Sequence, residues 1–583
     1  MHMKRRNFLK NTSLYSAAGI FMPGSLRSGW NFADRSERMQ GSEAAIDGEL
    51  LYNGIRLPAI WPPDYMDKDS YERMPVPYLE TPPQVIPIDI GRQLFVDDFL
   101  IESTDLTREF HRARKYVSNP VFKPETALEK GDKGRPVACP KDGGVWWDPE
   151  ERIFKMWYEA EWLENMAYAI SVDGIRWNRP DLGSGNNLLF NNPRPDSTTV
   201  FIDHDTDNPA ERFKMFLRGP NSAGAYHGYC FVSADGIHWS DPVPTGYCGD
   251  RSTMFYNPFR RKWIYSIRSW RDPFGSGIGR ARYYHEHSDF LSGARWTRDD
   301  AVFWMGADRF DSPDPVIGEK AQLYNLSAVA YESLMLGIHQ IHLGPPNKDC
   351  DRQGIPKITE LMLSFSRDGF HWHRPDRRPF IPAARQRGEW DRGYVQSVGG
   401  ICVIVGDQLW FYYTGFRGDE NKPGGKIGMY AHGSTGMAVL RRDGFASMSA
   451  KESEGILTTR PVCFSGKYMF VNADCSRGEL KVELLDENSR LIPELSFADC
   501  IPVSGDSTLQ LVKWKGVSDL SKWAGKKIRF RFQLKNGKLY AFWVSPDVSG
   551  ASYGYVAAGG PGFKGSKDNL GAGAYQSAAS IYI

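Results

Sequence analysis

The chain has 583 residues, too many for one ordinary core, because hydrophobic cores stop growing and chains divide at roughly 250 to 300 residues. Its 72 basic and 70 acidic residues leave a formal charge of +2, which excludes the strong field that draws nucleic acid or an anionic membrane surface. A neutral partner such as a sugar fits this balance, and the 18 Trp, 27 Tyr and 32 Phe supply both core filler and stacking platforms.

At the amino terminus, Lys4-Arg5-Arg6-Asn7-Phe8-Leu9-Lys10 has the form of a twin-arginine export signal, followed by an apolar stretch from Leu14 to Met22. The expectation is an exported, periplasmic or extracellular protein, with residues 1–40 as signal and linker. No later run approaches the roughly 18 apolar residues of a membrane helix. Residues 41–91 are rich in Pro and read as an extended wrap. The alternating segment Arg92 to Ile101 reads as the strand that closes a ring by joining its last blade.

Two in-phase repeats organise residues 92–448 as five blades of about four strands, a five-bladed β-propeller in an all-β chain. The first is S-x-D-G-[IF]-x-W, found at Ser171 to Trp177, Ser233 to Trp239 and Ser366 to Trp372. Asp-Gly between apolar runs marks a tight turn, since Gly accepts positive φ. Tyr283 to Trp296 fills the missing unit, and Arg442-Asp443-Gly444-Phe445 reads as a fifth turn without its Trp. The second repeat opens each blade with an acid before a β-rich run, and Asp142, Asp196 and Asp250 follow one another at intervals of 54 residues. Asn325 and Gln396 lie in the corresponding segments of blades four and five. After residue 448 the repeat ends, and short strands over 449–583 suggest a β-sandwich.

In such a blade the innermost strand lines the channel, so Asp142, Asp196 and Asp250 are expected at one funnel mouth. Asp148, Asp203, Glu332 and the Asp-Gly turns are expected at the opposite face or periphery, as turn residues. Clustered carboxylates raise one another's pKa, and glycoside hydrolysis uses such a cluster, one acid for the leaving oxygen and one carboxylate for water or the anomeric carbon. Glu360, Glu159 and Glu161 are candidates for the proton donor, with Glu360 favoured because it comes from the side of the ring opposite blade one. Arg251, Arg268, Trp270, Tyr324, His339, His342, Arg392 and Gln396 are expected on the same face as substrate-binding groups, with Glu159 among them.

This arrangement resembles the five-bladed propeller glycosidases of glycoside hydrolase families 32, 43 and 68, and the added sandwich resembles family 32 in particular. The resemblance implies that Asp142 is nucleophile or base and that Asp250, followed by Arg251, stabilises the transition state. It is one of architecture over residues 92–583. Blade one has no W-M-N-D-P-N-G, Arg271-Asp272-Pro273 follows a second strand, and blade four carries no Glu-Cys. The Asp-Gly turns are also similar to the Asp-box of sialidases, which would imply six blades, and a noncatalytic glycan-binding propeller is the alternative outside enzymes. Cysteines 139, 230, 248, 350, 402, 463, 475 and 500 form no C-x-x-C pair and no zinc spacing, so neither metal nor cofactor is expected, and disulfides and buried thiols are both open.

Overall fold

The computed structural model describes residues 48–221, 223–268, 279–297 and 299–578, and the export-signal segment lies outside them. Five antiparallel sheets form a five-bladed β-propeller. The inner strands are Ala138–Asp148, Ser197–Ile202, Thr253–Asn257, Gln322–Glu332 and Gly393–Ser397. Each pairs with the next strand of its own blade.

The Asp-Gly repeats prove to be latches between blades. Asp173 Oδ1 accepts from the N–H groups of Ile175 and Arg176, and Asp235 and Asp368 do the same for Ile237 and His238 and for Phe370 and His371. The glycines at 174, 236 and 369 take φ of 74°, 80° and 84°. Each turn then offers a carbonyl to an aromatic donor of the preceding blade: Tyr412 to Gly174, Trp157 to Gly236 and Trp304 to Phe370. These aspartates build turns.

Ring closure differs from the sequence expectation. Residues 92–101 do not join the last blade; Gln93–Leu94 and Ile101–Thr104 pair in the carboxy-terminal sheet instead. Closure falls to Arg114–Lys115, which pairs with Val439 and Ala438 of blade five. The reason lies at Asp443-Gly444, after which Ala446–Ala450 leaves the ring to pair with Thr107–Phe110 and Gly537–Ser545. Blade five therefore lacks its own fourth strand and takes one from the amino-terminal side. The carboxy-terminal strands form one nine-stranded antiparallel sheet that includes these amino-terminal strands, around a core of Phe95, Phe530, Phe532 and Phe542.

Residues 551–568 return from this sheet to the ring on the side away from the funnel. Ala557 N–H donates to the Ala330 carbonyl of blade four and Ala558 N–H to the Cys402 carbonyl of blade five, while Ile404 N–H of blade five donates to the Gly559 carbonyl and Trp147 N–H of blade one to the Ala558 carbonyl. Tyr555 packs on Phe259 of blade three, and Ser566 donates to Asp205 of blade two, so this one segment touches all five blades. Beside it, Glu332 sits in a hairpin turn where Arg92 and Arg442 hold it, and Arg442 also pairs with Asp568. All eight cysteines are free thiols, and seven are buried.

Candidate active site

The funnel is built from irregular backbone at the starts of inner strands. In blade one, pairing jumps from Cys139–Glu159 to Gly144–Trp157, leaving Pro140 to Gly143 as a bulge. Within it Lys141 and Asp142 adopt φ of 50° and 94°, and Gly399 of blade five donates its N–H to the Asp142 carbonyl. Arg251, ahead of the inner strand of blade three, has φ of 63°, and Tyr394, in a register shift of blade five, has φ of 48°. Left-handed backbone at a non-glycine residue costs on the order of 1–3 kcal/mol, and such strain concentrates at functional sites.

These strained residues send their side chains into one polar network. Arg251 Nη2 donates to Asp142 Oδ1 at 3.0 Å and to Gln340 Oε1 at 2.9 Å, and Nη1 donates to Gln396 Oε1 at 3.2 Å. Asn325 Nδ2 donates to Asp142 Oδ1 at 2.9 Å. Burial pushes the Asp142 carboxyl up to about 6, although Arg251 and Arg282 pull the other way. Lys141 Nζ lies 2.5 Å from Glu159 Oε1, donates to the Asp196 carbonyl at 2.8 Å and rides 3.8 Å from the Trp162 ring. Burial likewise pushes Glu159 up to about 7, against the pull of Lys141.

Asp196 pairs with Arg218 and Asp250 with Arg268. Tyr324 Oη donates to Asp250 Oδ2 at 3.3 Å and lies 3.2 Å from Tyr394 Oη. Exposure separates the three aspartates: the side chain of Asp142 is fully buried, that of Asp196 is 16 % exposed and that of Asp250 31 %.

Other candidates lie elsewhere. Glu360 pairs with Arg385, which also holds Asp314. Its neighbour Thr359 donates to Val395 of blade five, so alternation turns Glu360 to the opposite face of the strand, away from the Arg251 network. His339 is also displaced from the expected face: its Nε2 lies 3.2 Å from Met305 Sδ and its ring packs on Trp372, between blades three and four. His342, three residues on, packs instead on Tyr324. Arg392 pairs with Glu420, Glu161 accepts from the Lys133 N–H, and Trp270 falls outside the described residues.

Lys141, Arg218, Asn325, Gln340, Lys357 and Tyr394 belong to the site by contact but were not expected there. Lys141, next to Asp142 in a Lys-Asp-Gly-Gly run, and Asn325, in the blade-four copy of the opening repeat, carried a signal. Among the described residues no cluster of three or more metal-binding side chains occurs.

No family model matches the chain, and no curated protein sequence matches it. Solved structures do. An N-acetylgalactosamine deacetylase from F. plautii, crystallised with blood group B trisaccharide, is 15 % identical with a TM-score of 0.38 over 58 % of this chain and 95 % of its own. A thermostable family-43 glycoside hydrolase is 11 % identical, TM-score 0.36, over 52 % of this chain and 92 % of its own. A fructofuranosidase from Schwanniomyces occidentalis is 9 % identical, TM-score 0.34, over 76 % and 98 %. Likeness at this level carries no statement about activity.

Proposed function

We propose that this chain is an exported glycoside hydrolase that cleaves oligo- or polysaccharide in the propeller funnel. The observation that carries the reading is the convergence of four left-handed, non-glycine residues, Lys141, Asp142, Arg251 and Tyr394, on one network beside Asp196, Glu159 and Asp250. Backbone strain in three blades, spent on a single cluster of carboxylates and their cationic partners, suits a site that must hold acids at different protonation states.

Within this reading Asp250 is the base or nucleophile, because it is the most exposed of the three aspartates and is oriented by Arg268 and the Tyr324 hydroxyl. Glu159 is the proton donor: its carboxyl, raised to about 7, gives its proton to the leaving glycosidic oxygen, and the carboxylate left behind pairs with the Lys141 ammonium. Asp142 is a positioning residue: buried beneath Arg251, it fixes the guanidinium that also holds Gln340 and Gln396. Export follows from the twin-arginine pattern of Lys4 to Lys10.

The test is a panel of neutral and acidic oligosaccharides incubated with purified protein, with release of reducing sugar followed for wild type and Asp250→Asn. Turnover lost in the variant supports the assignment. Tight glycan binding with no release by wild type would leave a noncatalytic glycan-binding propeller as the better account.

A further inference from the structure

Around Tyr324 the described residues hold more positive charge than their carboxylates balance. Lys357 is 1 % exposed, and its ammonium lies 4.5 Å, 5.2 Å and 5.5 Å from the ring centroids of Tyr394, Tyr324 and Tyr430. Among the described residues its ammonium makes one hydrogen bond, a long one of 3.4 Å to Tyr430 Oη. The Arg280 guanidinium stacks 5.0 Å from the Tyr324 ring centroid and donates to Gln322 Oε1 at 2.7 Å. Among the described residues neither cation has a carboxylate within ion-pair distance, whereas Arg251, Arg268 and Arg218 each have one.

His342 completes the group. It is 4 % exposed, its ring lies 5.7 Å from that of Tyr324, and among the described residues neither ring nitrogen has a hydrogen-bond partner. A buried imidazole with two unsatisfied nitrogens and a buried ammonium with one weak bond are both costly unless something else supplies acceptors. Burial drives the Tyr324 phenol upward, yet Lys357 and Arg280 outweigh it and hold the hydroxyl below its ordinary value. The site favours negative charge.

We infer that Lys357, Arg280 and His342 form an oxyanion subsite of the funnel, which receives the acidic group of a uronate- or sulfate-bearing sugar or a free phosphate ion. Arg280 offers a planar fork, Lys357 a point charge and the neutral His342 a single N–H donor, a set suited to a tetrahedral or carboxylate oxyanion. With a free phosphate, its oxygen would bond the anomeric carbon while the glycosidic oxygen leaves with a proton, giving a sugar phosphate in place of hydrolysis. The assignment rests on reading the funnel as a glycan site.

The experiment titrates the full chain with glucuronate, sulfate and phosphate by calorimetry, with chloride at equal ionic strength as control, for wild type, Arg280→Gln and Lys357→Met. Wild type should bind at least one of the three, and each variant should bind it about tenfold or more weakly, the loss expected for one charge-assisted hydrogen bond. Should Lys357→Met fail to fold, the part-buried Arg280→Gln carries the test. No binding above chloride, or binding unchanged in Arg280→Gln, overturns the subsite. Cleavage of a uronate- or sulfate-bearing oligosaccharide then points to a substrate group, and consumption of a neutral one only with phosphate, with sugar phosphate as product, to the free ion. Anion binding without turnover of any glycan keeps the subsite and removes the hydrolase; turnover of neutral glycans without anion binding does the reverse.

Discussion

Arg251 and Asp142, contributed by blades three and one, form a fully buried ion pair in which Nη2 donates to Oδ1 at 3.0 Å and Nη1 lies 2.6 Å from Oδ2. The pair joins two blades that are not neighbours in the ring, across the top of the channel. Its consequences for stability and for turnover are separable.

Replacing Asp142 by Asn removes the counter-charge of Arg251, but because burial already raises the Asp142 carboxyl to about 6, the loss should be smaller than the about 3–5 kcal/mol typical of a broken buried pair. Urea denaturation should show this loss, and turnover should fall by about a hundredfold or more because Gln340 and Gln396 lose their common anchor. A wild-type urea midpoint in Asp142→Asn would show that the guanidinium is balanced in another way.

Asp250→Asn should lower turnover by about a hundredfold or more with the urea midpoint little changed, since this carboxylate is the most exposed of the three aspartates. Glu360→Gln, whose side chain is tied to Arg385 away from the network, should keep most of the activity. The reverse order of losses in a steady-state assay would return the catalytic role to Glu360.

Asp142 rises from 3.8 to about 6 and Glu159 from 4.5 to about 7 on folding, both through burial. A carboxyl raised in this way binds its proton more tightly in the folded chain than in the unfolded one. The stability it contributes is complete below the unfolded value and is lost as pH rises through the folded value, here between about pH 4 and pH 7. The wild-type urea midpoint should therefore fall from about pH 5 to about pH 8, and that of Glu159→Gln should fall less. Parallel slopes would mean that Glu159 does not titrate in this range. If Glu159 is the proton donor, turnover should also decline above about pH 7.

The carboxy-terminal segment can be tested at Gly560, where an added Cβ would lie 1.8 Å from the Ile404 carbonyl oxygen. Gly560→Ala should cost about 1–3 kcal/mol in denaturation, as overpacking does elsewhere. An unchanged midpoint would show that the segment does not hold the channel closed.

The blade number was legible in the sequence because each blade repeats a local device. An Asp-Gly turn depends on its own few residues, so Asp173, Asp235 and Asp368 could be read as turns without knowledge of their neighbours. Asp142, Asp196 and Asp250 are equally spaced in the sequence, yet Asp142 lies within the bulge of blade one, whereas Asp196 and Asp250 precede the inner strands of blades two and three. What the spacing did not carry was side-chain direction. A strand alternates faces at each residue, so a one-position step separates Thr359, toward blade five, from Glu360, and a bulge of four residues decides where Asp142 points. Burial was equally out of reach: Asp142 and Asp250 look alike in the repeat, yet Arg251, arriving from another blade, covers only the first. The ring closure by Arg114–Lys115, the partners of Lys357 and the return of residues 551–568 to all five blades join segments up to hundreds of positions apart. Those contacts arise only when the whole chain has packed, because no short window of sequence contains both halves of any of them.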